Sequence, residues 1–156
     1  MELFLRKPKG DDYPVIASWI GDAVACARWA GPYVTYPFAA QDLPEVLDMQ
    51  ERRSRVLGSA DIPQPLGFGQ FRTIREGEVH LGRIIVASGY RGRGLGKQMC
   101  RLLMQEATAE TGVDVFTLRV YRDNPAARAV YMALGFQPFE AESDADLLFM
   151  RAIVPA

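Results

Sequence analysis

Apolar residues change their spacing several times along the chain, and each change predicts an element. Leu3, Phe4 and Leu5 form a short apolar run that stops at the turn-forming cluster Pro8-Lys9-Gly10, which predicts a first strand. Val15, Ile16, Trp19 and Ile20 then recur at the spacing that gathers side chains on one helical face, with Asp11 or Asp12 available as the cap. From Cys26 to Phe38 the pattern is irregular. Gly31-Pro32 and Tyr36-Pro37 break it, and Trp29, Tyr33, Tyr36 and Phe38 crowd a segment expected to be a loop. Leu43, Val46, Leu47 and Gln50, opposite Glu45, Asp48 and Glu51, predict a second helix over 41–53.

Strand signals dominate the middle of the chain. A weak strand is expected at 55–57, a Pro-containing turn at 61–65, a better strand at 66–74, and a hairpin turn at Arg75-Glu76-Gly77-Glu78. The next strand, 79–86, alternates cleanly at Val79 and Leu81 and then becomes continuously apolar at Ile84, Ile85 and Val86. Such a change of phase fits either a strand buried on both faces or a bulge near Gly82-Arg83. Leu95, Met99, Leu102, Leu103 and Ala107 mark a helix that ends near Gly112, and 113–120 reads as a buried strand. Asn124 caps a further helix, with Pro125 at its first position, Ala127, Val130, Tyr131 and Leu134 inward, and Gly135-Phe136 closing it. An apolar run at 146–154 predicts a last strand.

Composition narrows the class. The 156 residues have the length of one domain, 1–156, able to bury about two thirds of its unfolded surface without a metal or disulfide staple. A content of 49% hydrophobic and 24% charged residues is that of an ordinary globular protein, and no repeat or low-complexity tract interrupts it. The order of elements reads as mixed α/β. A formal net charge of -1 gives no overall field toward nucleic acid or an anionic membrane, so any anion site is local. Cys26 and Cys100 are far apart with no CxxC, which argues against a metal site and for buried free thiols in a reducing compartment. No run approaches the ~18 apolar residues of a membrane span, and the first residues lack a signal-peptide core, so a cytoplasmic location is expected.

The candidate chemistry starts at Arg91-Gly92-Arg93-Gly94-Leu95-Gly96-Lys97, a Gly-rich turn running into a helix. The first N–H groups of a helix are unpaired and carry partial positive charge, so glycines that admit a phosphate there make an anion cradle. A Walker loop is excluded, because Arg91 stands where it needs Gly and Gln98 where it needs Ser or Thr. A dinucleotide fingerprint fits poorly, because Lys97 occupies its third small position and the turn follows a late strand. An RNA-binding Arg-Gly segment is weaker still, since the run is short and lacks interleaved aromatics.

The stretch Arg91 to Gly96 resembles the acyl-coenzyme A loop of the GNAT superfamily of N-acetyltransferases: Gln or Arg, two residues, Gly, one residue, Gly or Ala. Asn124 to Phe136, with Tyr131 and Gly135-Phe136, resembles the later signature of the same family. The resemblance is good over 78–136, and the first half fits it only in its order of elements. It implies a central, mostly antiparallel sheet of six or seven strands, splayed at strands 4 and 5 and flanked by about four helices. It also implies acetyl-coenzyme A as acyl donor, coenzyme A as product, and a primary amine of a small molecule or peptide as acceptor, attacked directly through a tetrahedral intermediate. Dimers are common among such enzymes, so a homodimer is compatible with it. A noncatalytic acyl-coenzyme A binder that regulates a partner is the competing reading.

By this resemblance the N–H groups between Arg91 and Lys97 hold the pyrophosphate, with Arg91, Arg93 and Lys97 adding charge. Ile84, Ile85 and Val86 would lie beside the pantetheine arm, with the Ile84 N–H facing the thioester carbonyl. Asn124 and Arg128 would neighbour that arm, and the Tyr131 hydroxyl would reach the thioester sulfur. For the base, His80 and Glu78 stand near the position where some family members carry a glutamate, and a water path is the alternative. Trp29, Tyr33, Tyr36 and Phe38 could frame the amine and Glu45, Asp48 or Glu51 attract it, although core packing and a solvated helix face explain the same residues.

Overall fold

The structure, a computed structural model, describes residues 1–154. Strands β1 (Leu3–Arg6), β2 (Arg53–Ser59), β3 (Ile62–Arg75), β4 (Glu78–Val86), β5 (Val115–Tyr121), β6 (Gln137–Pro138) and β7 (Leu147–Ile153) form one seven-stranded sheet in the order β1-β2-β3-β4-β5-β7-β6. All neighbours are antiparallel except β4 and β5, which run parallel. The helices are α1 (Asp12–Ser18), α2 (Ala23–Ala30), α3 (Leu43–Leu47), α4 (Leu95–Thr111) and α5 (Pro125–Ala133). None is long and apolar enough to cross a membrane.

Each face of the sheet buries its own core. Leu57, Phe71, Val79, Leu81, Phe116 and Leu118 pack with Met99, Leu103 and Ala107 of α4 on one side. Val56 and Phe68 pack with Ile16, Cys26, Leu43 and Leu47 of the first three helices on the other. In β3, Phe68 faces the second core and Phe71 the first, while β5 gives Phe116, Leu118 and Val120 to the first, and these alternations fix the register. Both cysteines are buried, and desolvation pushes the Cys100 thiol up to about 12, so it is a packing residue rather than a nucleophile.

Three local expectations change. The segment expected to be a loop from Cys26 begins inside α2, whose cap is Asp22 accepting the Ala25 N–H at 2.8 Å and whose end is Gly31 at φ 71°. Alanines at 23, 25, 27 and 30 give that helix little apolar periodicity to read. The helix expected over 41–53 shrinks to α3, because Gln50 and Glu51 take positive φ of 64° and 59° and end it. Pro63 and Pro65 lie within β3 instead of a turn, where its register with β2 shifts. The two-residue β6 has no apolar pattern of its own.

Candidate functional site

Pairing between β4 and β5 runs from Glu78↔Val115 to His80↔Thr117 and stops. Beyond it β4 stays paired with β3 as far as Val86, and β5 stays paired with β7 as far as Tyr121. The two strands therefore part with main-chain groups facing one another across a gap, and buried peptide groups of that kind need partners. Two cavities occupy the opening. One, of about 470 Å³, runs from Ile84, Ile85 and Val86 under the start of α4 to α5. The other, of about 190 Å³, lies between Gly82-Arg83 and Leu118-Tyr121. Ile84, Asn124, Ala127 and Tyr131 line both.

The phase break in β4 is a bulge at Arg83, with φ of 50°. Val79 and Leu81 face α4, and strict alternation would send Arg83 there as well. The extra residue instead turns Arg83 to the opposite face, where its guanidinium donates to the Leu47 carbonyl at 3.3 Å, to Gln70 Oε1 at 3.2 Å and to the Ala30 carbonyl at 3.4 Å. It also sends Ile84 and Val86 to the α4 core and Ile85 to the other. A positive φ at a residue with a side chain costs roughly 1–2 kcal/mol, held here by the bonds that Arg83 makes.

At the wider end, Gly92 and Gly94 have φ of 77° and 79°, in the left-handed region that favours glycine. Gly94 is the N-cap of α4 and has no side chain to give the helix, and the Gln98 N–H is the one that donates to the Gly94 carbonyl, at 3.2 Å. The N–H groups of Leu95, Gly96 and Lys97 thus face the cavity end without intrahelical partners, which suits a phosphate oxyanion. Arg91 and Lys97 line the same end, and Arg91 Nε donates to the Val86 carbonyl at 2.9 Å, tying loop to strand.

Helix α5 places Tyr131 on the wall between the cavities. Asn124 Oδ1 accepts the Ala127 N–H at 3.2 Å, Pro125 follows at the first helical position, and Phe136 returns its N–H to the Tyr131 carbonyl at 3.0 Å. The Tyr131 ring meets Phe136 edge-on with centroids 6.1 Å apart. Burial raises its phenol well above the ordinary value, with Cys100 adding to the shift, so the hydroxyl stays protonated and can donate a hydrogen bond.

Of the residues singled out from sequence, the cavities gather Ile84, Ile85, Val86, Arg91, Gly92, Gly94, Leu95, Gly96, Lys97, Asn124 and Tyr131. Others stand elsewhere. Arg93 stacks its guanidinium 5.2 Å from the Tyr90 ring, and Arg128 donates to the Arg122 carbonyl at 3.4 Å. Glu78 sits at the paired end of β4, 3.8 Å from Arg151. His80, expected as a base, lines neither cavity: its Nδ1 lies 2.9 Å from Thr117 Oγ1, it stacks on Phe149, and burial with repulsion from Arg119, Arg72 and Arg52 pushes it down to about 3. So weak a base takes no proton from an ammonium near neutrality.

Trp29 alone of the four aromatics lines the inner cavity, while the Tyr36 hydroxyl donates to the Gly21 carbonyl and Tyr33 is exposed. Glu45, Asp48 and Glu51 are exposed and line neither cavity. Sequence reasoning missed Arg28, Arg83 and Arg119 on the inner wall. Arg83 directly precedes the apolar run Ile84-Ile85-Val86 and Arg119 stands between Leu118 and Val120, and a charge set against apolar neighbours was the available signal.

A family model described as Acetyltransferase (GNAT) family matches residues 14–136. The chain belongs to the GNAT acetyltransferase family. Over 66 residues, 42% of this GNAT chain, it is 35% identical to the uncharacterized N-acetyltransferase YobR of Bacillus subtilis (strain 168), and it spans 26% of that relative's length. Its fold is similar to that of a spermidine N-acetyltransferase from Vibrio cholerae in complex with CoA and spermine, with a TM-score of 0.80 and 17% identity over 97% of this chain and 95% of that one. It is also similar to the aminoglycoside acetyltransferase AAC(6')-Ib in complex with coenzyme A and kanamycin, with a TM-score of 0.74 and 17% identity over 97% and 95% of the two chains. The PaiA N-acetyltransferase of Thermoplasma acidophilum, in complex with coenzyme A, gives a TM-score of 0.71 and 18% identity over 98% and 99%. Likeness at such identities is one of fold. The seven-stranded GNAT sheet with its parallel β4–β5 pair accords with the architecture expected from sequence.

Proposed function

We propose that the protein transfers an acetyl group from acetyl-coenzyme A to a primary amine of a small molecule or peptide. The observation that carries this reading is that the cavity under the α4 N-terminus and the cavity in the strand gap meet at Tyr131. A donor gripped by its phosphates at one end would present its reactive end where a second substrate enters from the other. The glycine cradle at Gly92 and Gly94 and the free strand edge of Ile84 to Val86 fit a molecule that is a diphosphate followed by an amide-bearing arm. Coenzyme A in two of the similar structures, beside spermine or kanamycin, supports both the donor and an amine acceptor.

Acetyl-coenzyme A supplies an activated acyl carbon, on which a free amine forms the N–C bond as the C–S bond breaks. The N–H groups of Leu95, Gly96 and Lys97 hold the diphosphate, and the Ile84 N–H faces the thioester oxygen as negative charge grows there. Tyr131 gives a hydrogen bond from its hydroxyl to the departing sulfur, and its raised pKa keeps the phenol protonated to make that bond. No carboxylate or histidine lines either cavity among the described residues, so the proton of the incoming amine leaves through water. Arg28, Arg83 and Arg119 assist, because positive charge nearby lowers the pKa of an ammonium and raises the fraction of free amine.

The test pairs calorimetry of acetyl-coenzyme A and coenzyme A with thiol release over a panel of amines. Micromolar binding with turnover is expected, and Tyr131→Phe lowers kcat ~100-fold while leaving coenzyme A affinity unchanged. Absence of affinity for either form on folded protein overturns the reading. Tight binding with no turnover of any amine marks a noncatalytic acyl-coenzyme A binder instead.

A further inference from the structure

The face of the sheet that looks into the acceptor side is unusually rich in unpaired arginine. β3 places Arg72, β4 His80 and Gly82, and β5 Thr117 and Arg119 on that face, as the pairings Arg72↔His80↔Thr117 and Phe149↔Arg119 require. The bulge adds the Arg83 side chain from β4, and α2 adds Arg28. Seven arginines are engaged in ion pairs with Asp or Glu, Arg28 of this face with Asp123 among them: Arg6, Arg28, Arg53, Arg55, Arg75, Arg122 and Arg151. Arg52, Arg72, Arg83 and Arg119 are in none of the ion pairs among the described residues.

Their neutral contacts do not cancel the charge. Arg83 is 8% exposed and donates to carbonyl and amide oxygens alone. Arg72 gives one Nη to Gln50 Oε1 at 3.0 Å and keeps a buried Nε with no partner. Arg119 lies over the Phe149 ring at 5.2 Å and lines the inner cavity, and Arg52 donates to the Met49 carbonyl. Burial first, and then repulsion from Arg52 and Arg72, lowers Arg83 to about 10, and burial followed by repulsion from Arg119, Arg72 and Arg52 depresses His80. Gathering like charges with no directly paired counterion, Glu142 and Asp144 reaching Arg119 only at longer range, is unfavourable for the chain by itself, and an anion bound among them relieves it.

We propose that the acceptor is an amine that also carries an anionic group, a carboxylate or a phosphate, held by Arg119 and Arg72 with Arg83 nearby. This rests on the acyl-transfer reading above and assigns its second substrate. A guanidinium pair binds a carboxylate or phosphate through paired N–H donors, and the same positive field disfavours the ammonium form of the amine that must attack. A polycationic amine would meet repulsion instead, with no carboxylate on either cavity wall to offset it.

The experiment measures kcat/KM for acetyl transfer to free α-amino acids, to their methyl esters, to an amino-sugar phosphate and to spermine. Coenzyme A affinity is followed separately by calorimetry. Removing the acceptor's negative charge by esterification is expected to lower kcat/KM at least ~10-fold, mainly through KM. Arg119→Gln is expected to remove most of that difference, with Arg72→Gln as a second variant and coenzyme A affinity unchanged in both. A better rate with the amino-sugar phosphate than with the amino acids assigns the anion as phosphate, and the reverse as carboxylate. If esters or spermine are acetylated as well as the anionic amines, or no anionic amine is acetylated by protein that binds coenzyme A, the assignment is overturned while donor binding stands. Loss of coenzyme A binding itself would instead defeat the acyl-transfer reading.

Discussion

The Trp29 indole N–H donates to the main-chain carbonyl of Arg83 at 2.8 Å, pinning α2 to the bulge that opens the sheet. The Trp29 ring also meets Phe68 edge-on at 6.1 Å, so one side chain joins the second core to the mouth of the inner cavity. Trp29→Phe keeps the aromatic contact and leaves that carbonyl without its donor. A cost of about 1–2 kcal/mol in urea unfolding is expected, together with a raised acceptor KM and unchanged coenzyme A affinity. Equal stability and equal KM would show that the bulge holds its shape without α2.

Gly94 stands at φ 79° with nothing within 4 Å of where a Cβ would be. The penalty of Gly94→Ala is therefore one of backbone conformation, about 1 kcal/mol, and no clash contributes. Because the same conformation exposes the first N–H groups of α4, coenzyme A affinity falls by ~5-fold or more on calorimetry. A variant that binds as tightly as the parent would remove this turn from the phosphate site.

His80 links stability to pH with a definite sign. Its folded pKa, about 3, lies below the ordinary 6.5, so as pH falls the unfolded chain takes up the proton first. Stability present above pH 6.5 is then lost progressively as the pH drops toward 3. His80→Gln removes this titration, and the loss of unfolding free energy between pH 7 and pH 5 shrinks by up to ~2 kcal/mol. The profile of kcat/KM near neutrality keeps its shape, since His80 takes no proton in the reaction. A neutral limb that disappears in the variant would restore His80 as the base.

Gly67 lies where β3, β4 and α4 converge. A Cβ there would stand 2.9 Å from Met99 Sδ and 3.1 Å from the Ile85 carbonyl oxygen. The methionine can swing aside, but the carbonyl belongs to the β3–β4 ladder and cannot. Gly67→Ala is expected to cost about 1–3 kcal/mol, and adding Met99→Ala should not recover it. Full recovery in the double variant would place the whole strain on the side chain.

Local signals were enough for the two elements that build the donor site. Gly94 and Gly112 bracket α4, and Asn124-Pro125 with Gly135-Phe136 bracket α5, because caps and left-handed turns depend on residues adjacent in the chain. The change of apolar phase in β4 left a strand buried on both faces and a bulge near Gly82-Arg83 both open, and the register with β3 decided for the bulge. The acceptor side was a different matter. Whether His80 is a base depends on Thr117, Phe149, Arg72 and Arg119, and which arginines gather there depends on strands separated along the chain and on α2 lying across them. Turn and cap preferences are written between neighbours in sequence, whereas desolvation and the sum of charges exist only once distant segments share one surface. That is why the turn and caps of the proposed donor site were legible from the sequence, and the electrostatic character of the inner cavity came from tertiary structure alone.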